Sequence, residues 1–405
     1  MPDASGKPRL LVLASTYPRW KDDPEPGFVH ELAKRLADTF EVSVICPSAS
    51  GAVREELMDG VSILRYRYAP ARLETLVNDG GMVANLKRYP WKWLLVPSFL
   101  LSMLLALRRE IRRSQPDAVH AHWIIPQGFI AACLGMIGRP LPPLLVTSHG
   151  ADLYTLRAWP LSAAKRLVVR CAAKLTVVSA SMRQDLLALG ADETRIGVQP
   201  MGVDLAGRFT PDADVPRSRD ELLFVGRLVE KKGLHVLIEA LPAVLERYSG
   251  ASLTVAGFGP ELAAHQALVA RLGLQDKIRF IGAVAQRELP LLYRRAAVFV
   301  APFIEARSGD REGLGLVALE AAGCGCPVIA SGLQPVRDAF DGLPVTLVEP
   351  GRASELAAAI CNVLSAPDAQ GTAQEVRSGL LRRFDWEAVS AAYKRLLLGM
   401  MHVGE

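Results

Sequence analysis

Two glutamates stand eight positions apart in REGLGLVALEA, residues 311–321, with Glu312 ahead of a glycine-bearing loop and Glu320 inside the apolar run that follows. Gly313 and Gly315 suit a tight loop, and Leu316, Val317, Leu319 and Ala321 suit a buried helix beginning there. A helix start offers unpaired backbone N–H groups and the positive end of the macrodipole, which together suit a pyrophosphate. Glu320 falls about a turn and a half into that helix, roughly 7 Å along its axis, while Glu312 lies on the other side of the loop. The order ribose, pyrophosphate, sugar then matches Glu320, the amides of Gly313, Leu314, Gly315 and Leu316, and Glu312. This reads as a nucleotide-sugar site, although two glutamates at this spacing also occur in helices that bind nothing.

A leaving pyrophosphate gains negative charge as a glycosidic bond breaks, so cations are required near it. Arg227 and Lys232 follow the strand-like run LLFVG, which ends at Gly226, while Lys231 reads as the solvated neighbour. The run LTVAG leads into Gly257, Phe258 and Gly259, a Gly-x-Gly turn whose glycines would let the backbone pass close to a nucleoside. Ala263 stands near the place of the third glycine of a dinucleotide fingerprint, which argues against NAD. His149, at the end of the apolar run 144–147 with Gly150 and Asp152 beside it, is placed to donate to a sugar hydroxyl or to receive an acceptor's proton. His120 and His122 share one strand face, and without further ligands nearby they fit an acceptor-side or packing role better than a metal, with Asp152 placed on the acceptor side beside His122.

Segment 307–331, with TSHGADLY at 147–154, LLFVGRLVEKKGLHVLIEAL at 222–241 and LTVAGFGPE at 253–261, resembles the retaining glycosyltransferases of family four, which have the GT-B fold. Four motifs in the family's order cover most of the chain, most weakly between about 48 and 105. The resemblance implies that Arg227 and Lys232 meet the diphosphate and that His149 belongs to the active site. It also implies that the loop before the first helix approaches the donor. There the family usually carries a glycine pair, and this sequence has Gly27 alone, preceded by Pro26.

These residues need a frame. With 405 residues, half of them hydrophobic and 22% charged, two globular domains are expected. Buried strands are predicted at 9–14, 42–46, 61–65, 118–121, 144–147, 175–178 and 196–199, with helices at 27–37, 94–113, 126–137 and 161–170 between them. Periodicity lapses over the polar segment 204–220, read as the interdomain linker. Its Asp212 and Asp214 form an Asp-x-Asp that, with no adjacent strand, reads as solvated charge. Strands resume at 222–226, 252–256, 278–281, 298–301, 328–330 and 345–348. The expected fold class is α/β, GT-B: two doubly wound, Rossmann-like parallel sheets facing a cleft. The N-terminal acceptor-side domain spans 1–205 and the nucleotide-sugar domain 206–385. By the resemblance, a last helix in 386–405 returns to the first domain.

No secretory signal is legible, and six scattered cysteines without disulfide spacing point to a reducing, cytoplasmic setting. Cys324 and Cys326, among glycines and a proline, read as small buried residues. Residues 1–205 hold 25 Lys and Arg against 19 Asp and Glu, and the remainder 22 against 23. The basic half lacks the dense runs that nucleic acid would need, so no nucleic-acid partner is expected. It suits an anionic membrane surface or phosphate-bearing acceptor, or serves solubility alone. Lys87, Arg88 and Lys92 among Tyr89, Trp91 and Trp93 favour a headgroup layer, on the inner face of the plasma membrane. The uncharged run 93–107 is fifteen residues long, short of the ~20 a span needs.

The sequence therefore predicts an enzyme moving a hexose-type sugar from UDP or GDP, two donors it does not separate, to a saccharide or lipid-linked acceptor in bacterial surface polysaccharide or glycolipid synthesis. The nucleotide sugar is a co-substrate, and neither cofactor nor metal is expected. A GT-B nucleotide-sugar epimerase and a non-catalytic nucleotide-sugar-binding protein are the rival readings.

Overall fold

The computed structural model describes residues 6–21, 23, 27–78, 81–137, 141–154, 159–366 and 369–402. Among these the chain forms two compact units. One comprises the described residues of Met1–Val178, Met182–Met201 and Ser390–Glu405, the other Ser179–Ser181 and Gly202–Val389.

The first unit is built on strands β1 (Arg9–Leu13), β2 (Glu41–Pro47), β3 (Glu55–Met58), β4 (Val61–Tyr66), β5 (Ala118–His122), β6 (Leu144–Ser148), β7 (Lys174–Val177) and β8 (Ile196–Val198). They lie in the order β3-β4-β2-β1-β5-β6-β7-β8. All pairs are parallel except β3 with β4. Central strands such as Leu10–Leu13 and Leu144–Val146 are buried throughout, because helices cover both faces of a parallel sheet and leave no solvent side for polar alternation. Strand β3, EELM, escaped the sequence reading because an edge strand of this kind carries no apolar run. It is held by pairing with β4 and by Arg65, whose buried guanidinium donates to the Glu56 carboxylate and to the Pro18 carbonyl.

The second unit contains β9 (Glu221–Val225), β10 (Ser252–Ala256), β11 (Ile278–Gly282), β12 (Val298–Ala301), β13 (Val328–Ser331) and β14 (Thr346–Val348), in the order β11-β10-β9-β12-β13-β14 and all parallel. This is the Rossmann order, in which the direction of winding reverses between β9 and β12 and leaves a crevice at their carboxyl ends. The sequence expectation of two doubly wound sheets is met.

The polar segment read as a linker is seated on the second unit. Leu205 and Phe209 are buried, Arg217 donates to the carbonyls of Ala296 and Gly325 at 2.6 and 3.0 Å, and Asp385 accepts from the amides of Leu205 and Ala206. Two apolar residues and one well-placed guanidinium are too sparse to show as periodicity. Asp212 caps a turn through the Asp214 amide and pairs with Arg294 at 3.3 Å, so its charge is met by an arginine. The closing helix, Trp386–His402, begins in the second unit and from Ser390 onward belongs to the first. There Lys394 pairs with Asp38 at 2.6 Å and Tyr393 stacks on His120.

Candidate active site

In the second unit, the loops after β9 and β12 meet at the reversal point. Three consecutive residues of the first loop pair with three of the second. Glu230 meets Arg307 at 3.0 Å, Lys231 meets Asp310 at 3.2 Å, and Lys232 meets Glu312 at 2.7 Å. Lys231, expected to be solvated, is therefore a clasp, and the Ile304 amide donating to its carbonyl at 3.0 Å ties the same two loops. The pairs differ in burial. Arg307 is almost fully exposed, whereas the side chains of Lys232 and Glu312 retain only 14% and 15% exposure, so solvent screens the last pair least. Burial opposes the charge on Glu312, but Lys232, Lys231 and the Gly315 amide outweigh it and hold the carboxyl at about 2. The Lys232 ammonium also lies over the Phe303 ring at 4.8 Å, an aromatic contact the sequence reading missed.

Gly315 caps the helix Leu316–Gly323 in the left-handed region, φ +74. Gly313 and Leu314 are buried ahead of it, and Leu316 is half-buried at its first position. Glu320 is buried in that helix and accepts from the Tyr293 hydroxyl at 3.0 Å. Burial raises its pKa, with Tyr293, Gln286 and Arg208 opposing. Tyr293 was invisible to sequence reading, since nothing in PLLYRR marks it as a partner across the fold.

Arg227 is exposed on the loop after β9, next to half-buried Gly226. The glycines of the Gly-x-Gly turn let two loops pack closely. A Cβ on Gly257 would stand 1.9 Å from the Gly226 carbonyl oxygen, and one on Gly259 2.3 Å from that of Leu228. The two loops lie backbone against backbone, and the absent side chains make room for protein. Cys324 and Cys326 are buried, which pushes their thiols up to about 12 and about 11.

In the first unit, His149 follows β6 and His122 ends β5. His122 Nδ1 lies 3.0 Å from His149 Nε2, with the rings parallel to within 9°. One nitrogen must donate and the other accept, so the two tautomers are coupled. Burial lowers His149 to about 3 and His122 well below its usual value, and His120, bonded to Thr147 Oγ1 at 2.8 Å, is likewise held at about 3 by burial and then by His149. Phe28 and Trp123 flank the His149 ring at 4.9 and 5.0 Å. Trp123 adopts φ +75, in a region non-glycine residues seldom enter. Asp152 is buried beside this cluster. It accepts from the Ile124 amide at 2.6 Å, the Ser148 hydroxyl at 2.9 Å and the His149 amide at 3.3 Å, which makes it the brace of the loop bearing His149. Gly27 caps the helix Phe28–Leu36. A Cβ there would touch Pro18 at an ordinary 3.6 Å, so the fold itself does not require a glycine.

Residues 28–206 match the family described as Glycosyltransferase Family 4, and residues 219–366 match Glycosyl transferases group 1. Glycogen synthase of Mycobacterium tuberculosis (strain ATCC 25618 / H37Rv) is 30% identical over 410 residues, spanning 96% of this chain and 94% of that protein. The chain belongs to the GT-B glycosyltransferases. Another relative of this glycosyltransferase, the GDP-mannose-dependent alpha-(1-6)-phosphatidylinositol monomannoside mannosyltransferase of the same organism, is 31% identical over 277 residues, 63% of this chain and 69% of that one. Sucrose-phosphate synthase from Thermosynechococcus elongatus superposes with a TM-score of 0.77 at 20% identity, over 98% and 100% of the two chains. HepE of Anabaena in complex with UDP-glucose gives 0.70 at 17%, over 96% and 99%. At these identities the two structures speak to the shared fold.

Proposed function

We propose that this glycosyltransferase is a retaining enzyme of family four that moves a hexose-type sugar from a nucleoside diphosphate to a saccharide or lipid-linked acceptor, in surface polysaccharide or glycolipid synthesis, without a metal. The observation that carries the reading is the meeting of Lys232 with Glu312 at the reversal point of the second sheet, with Glu320 inside the helix that starts next. In the reaction the anomeric C–O bond breaks and its electron pair passes to the phosphate oxygen. An acceptor hydroxyl oxygen bonds the anomeric carbon and gives its proton to the departing phosphate oxygen, so that the products are the glycoside and the nucleoside diphosphate. Lys232 and Arg227 supply positive charge to the leaving diphosphate, the amides of 313–316 supply N–H donors, and Glu320 receives the ribose. Glu312 both orients Lys232 and stands beside the sugar. With its pKa near 3, His149 is a poor base, which favours the role of neutral hydrogen-bond partner to a sugar hydroxyl over that of proton acceptor.

The relatives' names leave both nucleobases in play, one being GDP-mannose-dependent and one solved structure holding UDP-glucose. The phosphatidylinositol mannoside acceptor named for the mycobacterial relative supports a lipid-linked acceptor here. The proposed setting is the cytoplasm, where thiols such as the exposed Cys171 stay reduced. A panel of UDP- and GDP-sugars tested for protection against thermal unfolding should reveal one donor by its upward shift in Tm. That donor should be consumed only when an acceptor is added. No shift with any nucleotide sugar would end the reading, and turnover without acceptor would favour the epimerase.

A further inference from the structure

The helix Val96–Ser114 and the 3₁₀ turn Pro90–Leu95 before it form a continuous run, Pro90–Ser114, of 25 residues. By length and composition it could cross a membrane, although its uncharged core alone had been too short. Only 28% of its most apolar window is buried. Leu95, Phe99, Met103, Leu107 and Glu110, spaced by four, four, four and three, form the stripe buried within its own unit. That stripe rules out a span, because the helix already serves as one layer of a soluble sandwich. The opposite stripe meets water as Leu94 (81% exposed), Leu101 (56%) and Leu105 (54%), then Arg108 and Arg112. From Leu101 onward the spacing of four, three and four keeps them on one face of the α-helix, and Leu94 stands on the turn before it. At the other end Trp91 and Trp93 are about half exposed, next to exposed Lys87 and Arg88.

We infer that this face is a docking surface for an anionic lipid bilayer, on which the helix lies flat. Single exposed leucines are ordinary, but a contiguous row along one helix, flanked by tryptophans and ended by arginines, has the composition of an interfacial helix. Charge decides between lipid and a second copy of the chain. Of the seven Lys and Arg in residues 82–114, Lys92 is buried and Arg113 pairs with Glu110 at 3.0 Å, while Lys87, Arg88, Arg108, Arg109 and Arg112 are exposed, so self-association through this face would bring two cationic collars together, whereas an anionic headgroup layer answers both the leucines and the arginines. Lys92, which the sequence counted among the lipid-facing cations, is buried and donates to the Thr75 carbonyl at 2.8 Å and to Asn85 Oδ1 at 3.2 Å. It holds the turn in place. The inference does not depend on the sugar-transfer reading, since its measurement is binding.

The test is co-sedimentation of the full chain with phosphatidylcholine vesicles, with and without phosphatidylglycerol. Binding should require phosphatidylglycerol and weaken as salt rises over the range that shortens the Debye length. Leu101→Ser with Leu105→Ser should weaken binding at least tenfold. Arg108→Ala with Arg112→Ala should weaken it about fivefold per arginine, the equivalent of about 1 kcal/mol each. All four side chains are exposed, so both double variants should keep the parent Tm, which separates lost docking from lost folding. Equal binding to phosphatidylcholine alone, undiminished binding by the leucine variant, no binding at low salt, or pelleting without vesicles through a concentration-dependent dimer would each overturn the inference.

Discussion

Glu312 and Glu320 have the same side chain in opposite electrostatic settings, and their variants should fail differently. Glu312 is held ionised by two lysines, so Glu312→Gln leaves Lys232 without its counter-charge beside the proposed sugar position and should lower turnover by roughly a hundredfold while nucleotide affinity holds. Glu320→Ala removes the proposed ribose partner and should weaken donor and free nucleotide alike. Isothermal titration with nucleotide beside steady-state kinetics separates the two, and equal loss of nucleotide binding in both variants contradicts the assignment. The buried histidines make a prediction about pH. A histidine whose folded pKa is depressed lets the unfolded chain bind more protons, so its stabilisation is complete above the unfolded value near 6.5 and is lost as pH falls toward the folded value near 3. Below pH 6 each fully uncoupled histidine would contribute a slope of about 1.4 kcal/mol per pH unit. The raised acids Asp152 and Glu320 act the other way. Urea midpoints should fall from pH 7.5 to pH 5, and less steeply in His120→Asn. A slope unchanged by that substitution would remove the buried imidazoles as its source.

The elements that carry these residues are set by close backbone contacts that few substitutions could tolerate. Gly233, in the left-handed region at φ +66, would place a Cβ 1.8 Å from the Pro302 carbonyl oxygen, and so locks the loop after β9 to the one after β12. Gly233→Ala and Gly257→Ala should each lower stability by several kcal/mol, read as a drop in Tm, because both combine a strained φ with a backbone clash. Gly27→Ala, facing only an ordinary contact, should leave Tm within a degree or two. The helix Val96–Ser114 teaches the complementary lesson. Its apolar residues announced a helix, but which face was buried depended on the sheet beneath, and Lys92 changed role from lipid contact to internal anchor once the turn before the helix was in place.

At the scale of the molecule, the two units each carry part of the proposed chemistry, the anionic donor falling to the second and the histidine cluster to the first. Among the described residues no group of three or more His, Cys, Asp or Glu side chains is arranged to hold a metal. The cationic charge the leaving diphosphate needs is proposed to come from Lys232 and Arg227. Turnover should accordingly survive EDTA, and Lys232→Ala and Arg227→Ala should each reduce it by roughly a hundredfold. Loss of activity on chelation with recovery on Mg²⁺ or Mn²⁺ would show that a metal shares that task.

The sequence by itself determined the two doubly wound sheets, because each buried parallel strand must be a short apolar run and each crossover a helix, and both patterns are local. It also picked out the residues proposed for the chemistry in each unit, since Lys232, Glu312 and Glu320 in the second and His149 in the first sit in loops and helix starts recognisable from glycines and strand ends. What only the tertiary structure decided was pairing across distance. Lys231 with Asp310, Tyr293 with Glu320, His122 with His149, and Asp152 with the Ile124 amide all join residues from separate elements. The seating of residues 202–220 on the second unit and the antiparallel strand Glu55–Met58 were hidden for the same reason. A few polar contacts, each worth about a kilocalorie per mole, fix such features without leaving any periodicity in the chain.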